Sequence, residues 1–359
     1  MAIQSKNISL CAKHNSTRLA RYKACVYKHP TIIKTLKIAG VIFSVGLLLA
    51  SFYFNAPFGI KVVTSLSSFA VLTSLILFNR PFKTIKKPTS RTSPIVLEPA
   101  ALPITTLWDN LNKKTLEKLK SINYLSKTDA NHRFTNIHCP KKTAVSIGGH
   151  YLHANKVGNG ISQRLFIASQ APLEQDLEIF WKAIFDRAPT IFDLTTIKDQ
   201  KEGGIIKYYP DKLNETKTYG SMSVKLIQIS KNLYTYQIKN TQTGAIKNIQ
   251  RLHYTDWKDF GAVSESALHS LVKEVERLSP NPKNLIWVHC RAGVGRTGSL
   301  ITALVLKEKI AKGIITKKNL DTSLIDIIVE LRKQRGSAFV QQQAQLDLLR
   351  KYAYFLIEK

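Results

Sequence analysis

The run from Trp287 to Leu300, WVHCRAGVGRTGSL, sets Cys290 and Arg296 six positions apart with two glycines between them. Leu285–Val288 is a short apolar stretch that reads as a strand, and the residues from about Arg296 to Lys312 read as a helix. A strand, a glycine-containing loop and a helix in that order can curl Arg291, Ala292, Gly293, Val294 and Gly295 so that backbone N–H groups point inward. That arrangement is an anion nest at a helix N-terminus. A phosphate dianion fits it, and the Arg296 guanidinium adds two parallel donors. The positive end of the helix also favours a thiolate over a thiol. Cys290 is therefore expected to attack phosphorus and form a phosphocysteine, splitting one difficult step into two. Thr297 is placed to hydrogen-bond the sulfur and ease its departure. His289 is expected to order the loop rather than act as a base. A structural cysteine would account for Cys290 alone. It would not account for the histidine, both glycines, the threonine and the strand–loop–helix setting together.

The elements around this loop follow an α/β pattern. Thr106–Leu125, Leu173–Asp186 and Val263–Leu278 read as helices, as do about Leu324–Arg335 and Gln342–Ile357. In Val263–Leu278 the apolar positions Leu268, Leu271, Val272 and Val275 share one face. Thr190–Leu194, Met222–Ile229, Tyr234–Ile238 and Ile246–Tyr254 read as strands. Thr243-Gly244 supplies a turn between the last two, which suggests an antiparallel meander.

The N-terminal part is different. The chain has 53 Lys+Arg against 24 Asp+Glu, a net +29, and no acidic residue occurs before Glu98. This balance favours anionic partners, whether phosphorylated proteins or anionic lipid. Nucleic-acid binding has charge alone behind it and no motif, so it is not expected. Residues 38–54 and 62–78 are two uncharged apolar runs of 17 residues each, separated by Asn55-Ala56-Pro57-Phe58-Gly59. Their length is at the short end of a bilayer span, and together they read as a transmembrane helical hairpin. Lys28, Lys34 and Lys37 precede it, Arg80, Lys83, Lys86 and Lys87 follow it, and only Lys61 lies near the turn. The positive-inside rule then puts both termini on the cytoplasm-like face. The expected organisation is a basic segment 1–37, the hairpin 38–78, a linker 79–105 with five prolines, and one domain over 106–359. The four cysteines, Cys11, Cys25, Cys139 and Cys290, lack the spacing of a disulfide framework or zinc site.

The signature HCRAGVGRT resembles the catalytic loop of the protein tyrosine phosphatases, especially bacterial secreted-effector members, and the resemblance extends over about 106–359. It implies a twisted mixed sheet flanked by helices and a site without metal or cofactor. Tyr254-Thr255-Asp256-Trp257-Lys258-Asp259 is similar to the family's mobile acid loop. That likeness makes Asp259 the general acid and then the base, with Asp256 as competitor and Trp257 as support. Lys258 replaces the usual proline, which puts loop closure in question. Gln341 and Gln345 match the two glutamines that position water. Phe134, in Asn131-His132-Arg133-Phe134-Thr135-Asn136, takes the aromatic position that stacks on phosphotyrosine. Asn136 stands where many members carry an aspartate that contacts the peptide. Tyr151–Asn155, Ile167–Leu173 and Phe180-Trp181 resemble scaffold segments, and Glu202 is expected to pair with the phosphate-binding arginine.

The apolar hairpin resembles the bilobed segment of inclusion-membrane proteins of intracellular bacteria. Together the two resemblances imply a membrane-anchored phosphatase that acts on phosphotyrosine proteins, as a bacterial effector at a host inclusion or vacuole membrane. An inactive phosphotyrosine-binding module and a phosphoinositide phosphatase are the alternatives.

Overall fold

The computed structural model describes residues 102–359. The segment 1–37, both apolar runs and nearly all of the linker lie outside the described residues. Among the described residues no helix is long and apolar enough to cross a membrane.

The described strands form a single mixed sheet. They are β1 (Ala144–Ile147), β2 (His150–Val157), β3 (Phe166–Ser169), β4 (Thr190–Asp193), β5 (Thr216–Tyr219), β6 (Met222–Ser230), β7 (Leu233–Asn240), β8 (Ile246–His253) and β9 (Ile286–His289). Their spatial order is β1-β2-β3-β9-β4-β8-β7-β6-β5. The central strands β3, β9, β4 and β8 are parallel, and both flanks are antiparallel. The expected meander is β6-β7-β8. The short strands β1, β3 and β5 carry little periodicity of their own and are added by pairing.

The helices are α1 (Ile104–Lys118), α2 (Leu177–Arg187), α3 (Ile197–Glu202), α4 (Glu265–Leu278), α5 (Gly295–Ala311), α6 (Leu320–Arg335) and α7 (Gln343–Ile357). Helix α1 stops at Lys118, short of the expected Leu125. Ser121, Ile122 and Asn123 are poor helix residues, and Tyr124 instead bridges to Pro140.

Alternation along the central strands makes two cores. Phe166, Ala168, Phe192, Ile286 and Val288 face one side, where they pack with apolar residues of α1, α4, α5, α6 and α7. Ile167, Ile191 and Trp287 face the other side, with Phe180, Trp181 and Ile184 of α2 and the inner residues of β6, β7 and β8. A sheet buried on both faces needs apolar residues at successive positions, and all four residues of β3, β4 and β9 are buried. The four parallel strands end in register: Ser169 is opposite His289, His289 opposite Asp193, and Asp193 opposite His253. The crevice beyond the carboxyl ends of parallel strands is where ligands bind in such sheets. The segments bearing Cys290, Asp199 and Asp259 all leave the sheet at this edge.

Candidate active site

Strand β9 ends at His289, and Cys290 opens the loop into α5. Four carbonyls of that loop are pinned outward. Arg291 O accepts from Ala171 N at 3.1 Å and Val294 O from Val340 N at 3.1 Å. Arg335 donates to Ala292 O through Nη2 at 3.3 Å and to Gly293 O through Nε at 3.2 Å. In a trans peptide the N–H opposes the C=O. The N–H groups of Ala292, Gly293, Val294 and Gly295 are therefore turned inward. That of Gly293 donates to Cys290 Sγ at 3.3 Å. The first helical bond of α5 runs from Gly298 N to Val294 O. The amides of Gly295, Arg296 and Thr297 thus precede it and form the free N-terminus of a long helix. The expected nest is present, with the sulfur of Cys290 at its floor.

Arg296 is buried and reaches three oxygens. Nη1 donates to Asp199 Oδ2 at 2.6 Å and to Trp257 O at 3.1 Å; Nη2 donates to Asp259 Oδ1 at 3.0 Å. Burial works against the cation, but the Cys290 sulfur and the two carboxylates outweigh it and hold the guanidinium charged. The partner expected from sequence was Glu202, and this is corrected: the buried carboxylate is Asp199. Glu202 lies on the outer side of α3, exposed and 3.5 Å from Lys198. Asp199 is turned inward by a capping box, in which Thr196 caps α3 and its N–H donates to Asp199 Oδ2 at 2.8 Å. The pattern Thr-x-x-Asp was the available signal.

The acid loop follows β8. Trp257 is buried, with Nε1 bonded to Gly261 O at 3.0 Å. Asp259 is partly exposed, and Arg291 Nη1 lies 3.9 Å from its second oxygen. Asp256 is exposed and accepts from the Thr255 hydroxyl at 3.2 Å. Lys258 and Phe260 line a cleft of ≈ 1010 Å³ together with Asp199, Asp259 and Arg291. Phe260 turns the loop with a φ of 56°.

Gln345 is fully buried, and its Oε1 accepts from Gln341 N at 2.9 Å. A Cβ on Gly295 would lie 3.0 Å from Gln345 Nε2 and 3.3 Å from Gln341 Oε1, so both amides abut the loop. Phe134 stands at the rim, 5.2 Å from the Arg291 guanidinium. Asn136 is exposed beside it. Gln345 Nε2, Thr297 Oγ1, Arg296 Nε and Arg291 Nε are buried without a hydrogen-bond partner among the described residues. Unpaired buried polar atoms are uncommon and need an explanation. These four belong to residues on or against one loop.

Arg335 went unassigned in the sequence. It is fully buried and has no carboxylate partner among the described residues; besides the two loop carbonyls it donates to Asn155 Oδ1 at 2.7 Å. Burial pushes its guanidinium below the ordinary range, with Cys139 and Cys290 opposing. The signal was an arginine at the end of the apolar stripe Leu324, Ile328, Leu331 on α6. Burial, seconded by Arg335, also pushes the neighbouring His153 down to about 2, which keeps it neutral.

A family model described as protein-tyrosine phosphatase matches residues 128–354. Receptor-type tyrosine-protein phosphatase epsilon of Rattus norvegicus is 28% identical over 214 residues, which cover 57% of this chain and 29% of the relative. Tyrosine-protein phosphatase YopH of Yersinia pseudotuberculosis is 29% identical over 251 residues, covering 62% of this chain and 50% of YopH. The chain thus spans half or less of the length of these curated relatives. The solved structure of PTPN18 in complex with HER2 phosphopeptides superposes with a TM-score of 0.60 at 22% identity, covering 70% of this chain and 92% of that one.

Proposed function

Since the chain belongs to the protein tyrosine phosphatase family, we propose that it hydrolyses phosphotyrosine in proteins through a phosphocysteine intermediate. The outward pinning of four successive loop carbonyls around Cys290 carries this reading. It prearranges N–H donors for the three non-bridging phosphoryl oxygens, so little reorganisation is needed as charge develops. Arg296 supplies the matching cation through Nε and, once the phosphate displaces Asp259 from it, through Nη2, while Asp199 and Trp257 O hold Nη1. Sγ of Cys290 attacks phosphorus as the bond to the phenolic oxygen breaks. Asp259 gives its proton to the leaving phenolate, a role worth about 10²–10⁴-fold. In the second step Asp259 takes a proton from water, which Gln341 and Gln345 orient. Water oxygen bonds to phosphorus as the S–P bond breaks, and the Thr297 hydroxyl donates to the departing sulfur. Phe134 at the rim favours an aryl phosphate over the shorter phosphoserine. PTPN18 was solved with HER2 phosphopeptides, which supports phosphotyrosine proteins as partners.

Cys290, Arg296 and Asp259 within one site argue against an inactive binding module. The purified chain should hydrolyse an aryl phosphate and be blocked by vanadate. Turnover no faster than that of Cys290→Ser would defeat the proposal. Asp259→Ala should keep phosphotyrosine-peptide binding and lose most turnover.

The uncharged runs 38–54 and 62–78 support a membrane tether with both termini on the cytoplasm-like face. With the likeness to YopH, this favours a secreted bacterial effector held at a host-facing membrane, within reach of host phosphoproteins. A tagged full-length chain released from membranes by alkaline carbonate would refute the tether.

A further inference from the structure

Behind the phosphate loop lies a second cluster of ionisable groups, all fully buried and none touching the cleft. Asp193, the last residue of β4, sits between the ends of β9 and β8. Its Oδ2 accepts from Arg251 Nη2 at 2.6 Å and Arg251 Nε at 3.0 Å. Its Oδ1 accepts from Thr195 N at 2.9 Å and Thr195 Oγ1 at 2.6 Å. Arg251 Nε also donates to the Tyr208 hydroxyl oxygen at 3.2 Å, and the arginine lies 3.7 Å from the Tyr209 ring. Tyr208 Oη is 2.6 Å from His289 Nε2 and 3.2 Å from Asp193 Oδ2. Finally, His289 Nδ1 faces the carbonyl oxygen of Cys290 at 3.4 Å.

The proton positions follow from donor chemistry. A carbonyl oxygen only accepts, so Nδ1 carries the hydrogen that faces Cys290 O. Burial pushes His289 below its ordinary range, with Asp193 opposing and Arg251 and His253 adding to the shift. The ring is therefore neutral, and Nε2 is bare. The Tyr208 hydroxyl has two acceptors in reach, His289 Nε2 at 2.6 Å and Asp193 Oδ2 at 3.2 Å; with Nε2 bare its proton goes to the shorter contact, and the Arg251 Nε–H is shared between the Tyr208 oxygen and Asp193 Oδ2. The result is a one-way chain: Arg251 N–H to Tyr208 oxygen, Tyr208 O–H to His289 Nε2, His289 Nδ1–H to the carbonyl of Cys290. Asp193 anchors its start. Burial resists charge on Asp193; with His289 neutral, the Arg251 cation and the Thr195 hydrogen bonds hold the carboxyl below the ordinary range.

We infer that the buried Asp193–Arg251 pair is a positioning device for catalysis: it fixes the direction of the Tyr208 and His289 hydrogen bonds and so sets the first peptide of the phosphate loop. The pair also ties together the strands from which the three reacting segments leave. Arg251 is on β8, which leads to Asp259; Asp193 is on β4, which leads to Asp199; His289 is on β9, which leads to Cys290. This inference rests on the phosphatase reading for its kinetic arm only.

The test uses the full chain and the double variant Asp193→Asn/Arg251→Gln, which removes both charges at nearly constant volume and leaves no lone buried ion. Tyr208→Phe, with the ion pair intact, is the second variant. The first readout is the imidazole ¹⁵N spectrum of His289 in the folded protein. Wild type should show a neutral Nδ1–H ring, and the double variant should show the Nε2–H form or a mixture. The second readout is aryl phosphate turnover per folded molecule, expected to fall about 10–100-fold, as for a misplacement near 1 Å, in both variants. A stably folded double variant that keeps the Nδ1–H tautomer and turns over within twofold of wild type overturns the inference. So does an imidazolium or Nε2–H ring in wild type. A wild type with no turnover defeats the phosphatase reading instead, while the tautomer arm still decides this one.

Discussion

Gly293→Ala tests the nest most directly. Gly293 has a φ of +73°, and a Cβ there would lie 2.0 Å from Ser169 O, 2.2 Å from Ser169 C and 2.6 Å from Gln170 N. A left-handed conformation costs an alanine about 1–2 kcal/mol. Ordinary contact to Ser169 O requires about 1.4 Å more room. The neighbour is held: Ser169 is in register with His289, and Trp287 Nε1 bonds its hydroxyl at 2.7 Å. The phosphate loop therefore has to give. Overpacking of this kind adds about 1–3 kcal/mol, for a total near 3 kcal/mol and a fall in Tm of roughly 6–12 °C in a domain of this size. Moving the inward N–H groups by about 1 Å should lower kcat/KM on an aryl phosphate about 10²-fold. Gly313→Ala is the control, since Gly313 has a φ of +68° with nothing within 4 Å of its Cβ. It should pay only the backbone cost and keep full activity. The reasoning fails if Gly293→Ala melts no lower than Gly313→Ala, or if it retains more than about a third of wild-type kcat/KM.

Asp199→Asn should cut kcat/KM about 10–100-fold by loosening a buried charge-assisted bond to Arg296. Glu202→Gln should stay within about twofold, because its Lys198 pair is exposed; steady-state kinetics on both compares the two carboxylates. Gly298→Ala places a Cβ 2.6 Å from Val340 N and should push the segment bearing Gln341, slowing phosphocysteine hydrolysis more than its formation. Rapid-quench would then show a larger burst of phenol and accumulated phosphoenzyme. Burial opposes ionisation of Asp199, yet the Arg296 and Thr196 hydrogen bonds win and hold its carboxyl below the ordinary range. A depressed carboxyl stabilises above the unfolded value of about 3.9, and that stabilisation is lost as the pH falls through the folded value. The Tm of wild type should therefore drop below about pH 4, and Asp199→Asn should drop less steeply.

What was legible in the sequence is what a short stretch of chain builds by itself. The nest needs one contiguous strand–loop–helix run, so Cys290, Arg296 and both glycines announce it. Gln341 and Gln345 are four apart at the start of a helix, so they meet the loop together. The strands with clear alternation, β6 to β8, were readable for the same reason. Glu202 was misread because position along α3, not residue type, decides which carboxylate turns inward, and the Thr196 cap selects Asp199. The hairpin lies outside the described residues.

The residues that hold the loop in shape come from far along the chain, and charge at buried positions is what hides them. Arg335 sits 42 residues from the Gly293 carbonyl it turns outward, and Arg251 sits 58 residues from Asp193. Read locally, Arg335 closes an apolar stripe and looks like a departure from pattern, while Arg251 is one polar residue among several in β8. A buried cation costs several kcal/mol unless its donors are satisfied, so such departures persist only where folded neighbours supply acceptors. Here the acceptors of Arg335 include the outward carbonyls of the phosphate loop, and those of Arg251 include the hydroxyl that points to His289. The burial of these two cations and the shape of the site are linked, since Arg335 donates to two carbonyls of the phosphate loop and Arg251 donates to Asp193 and the Tyr208 oxygen, with only its Nη1 unpartnered among the described residues.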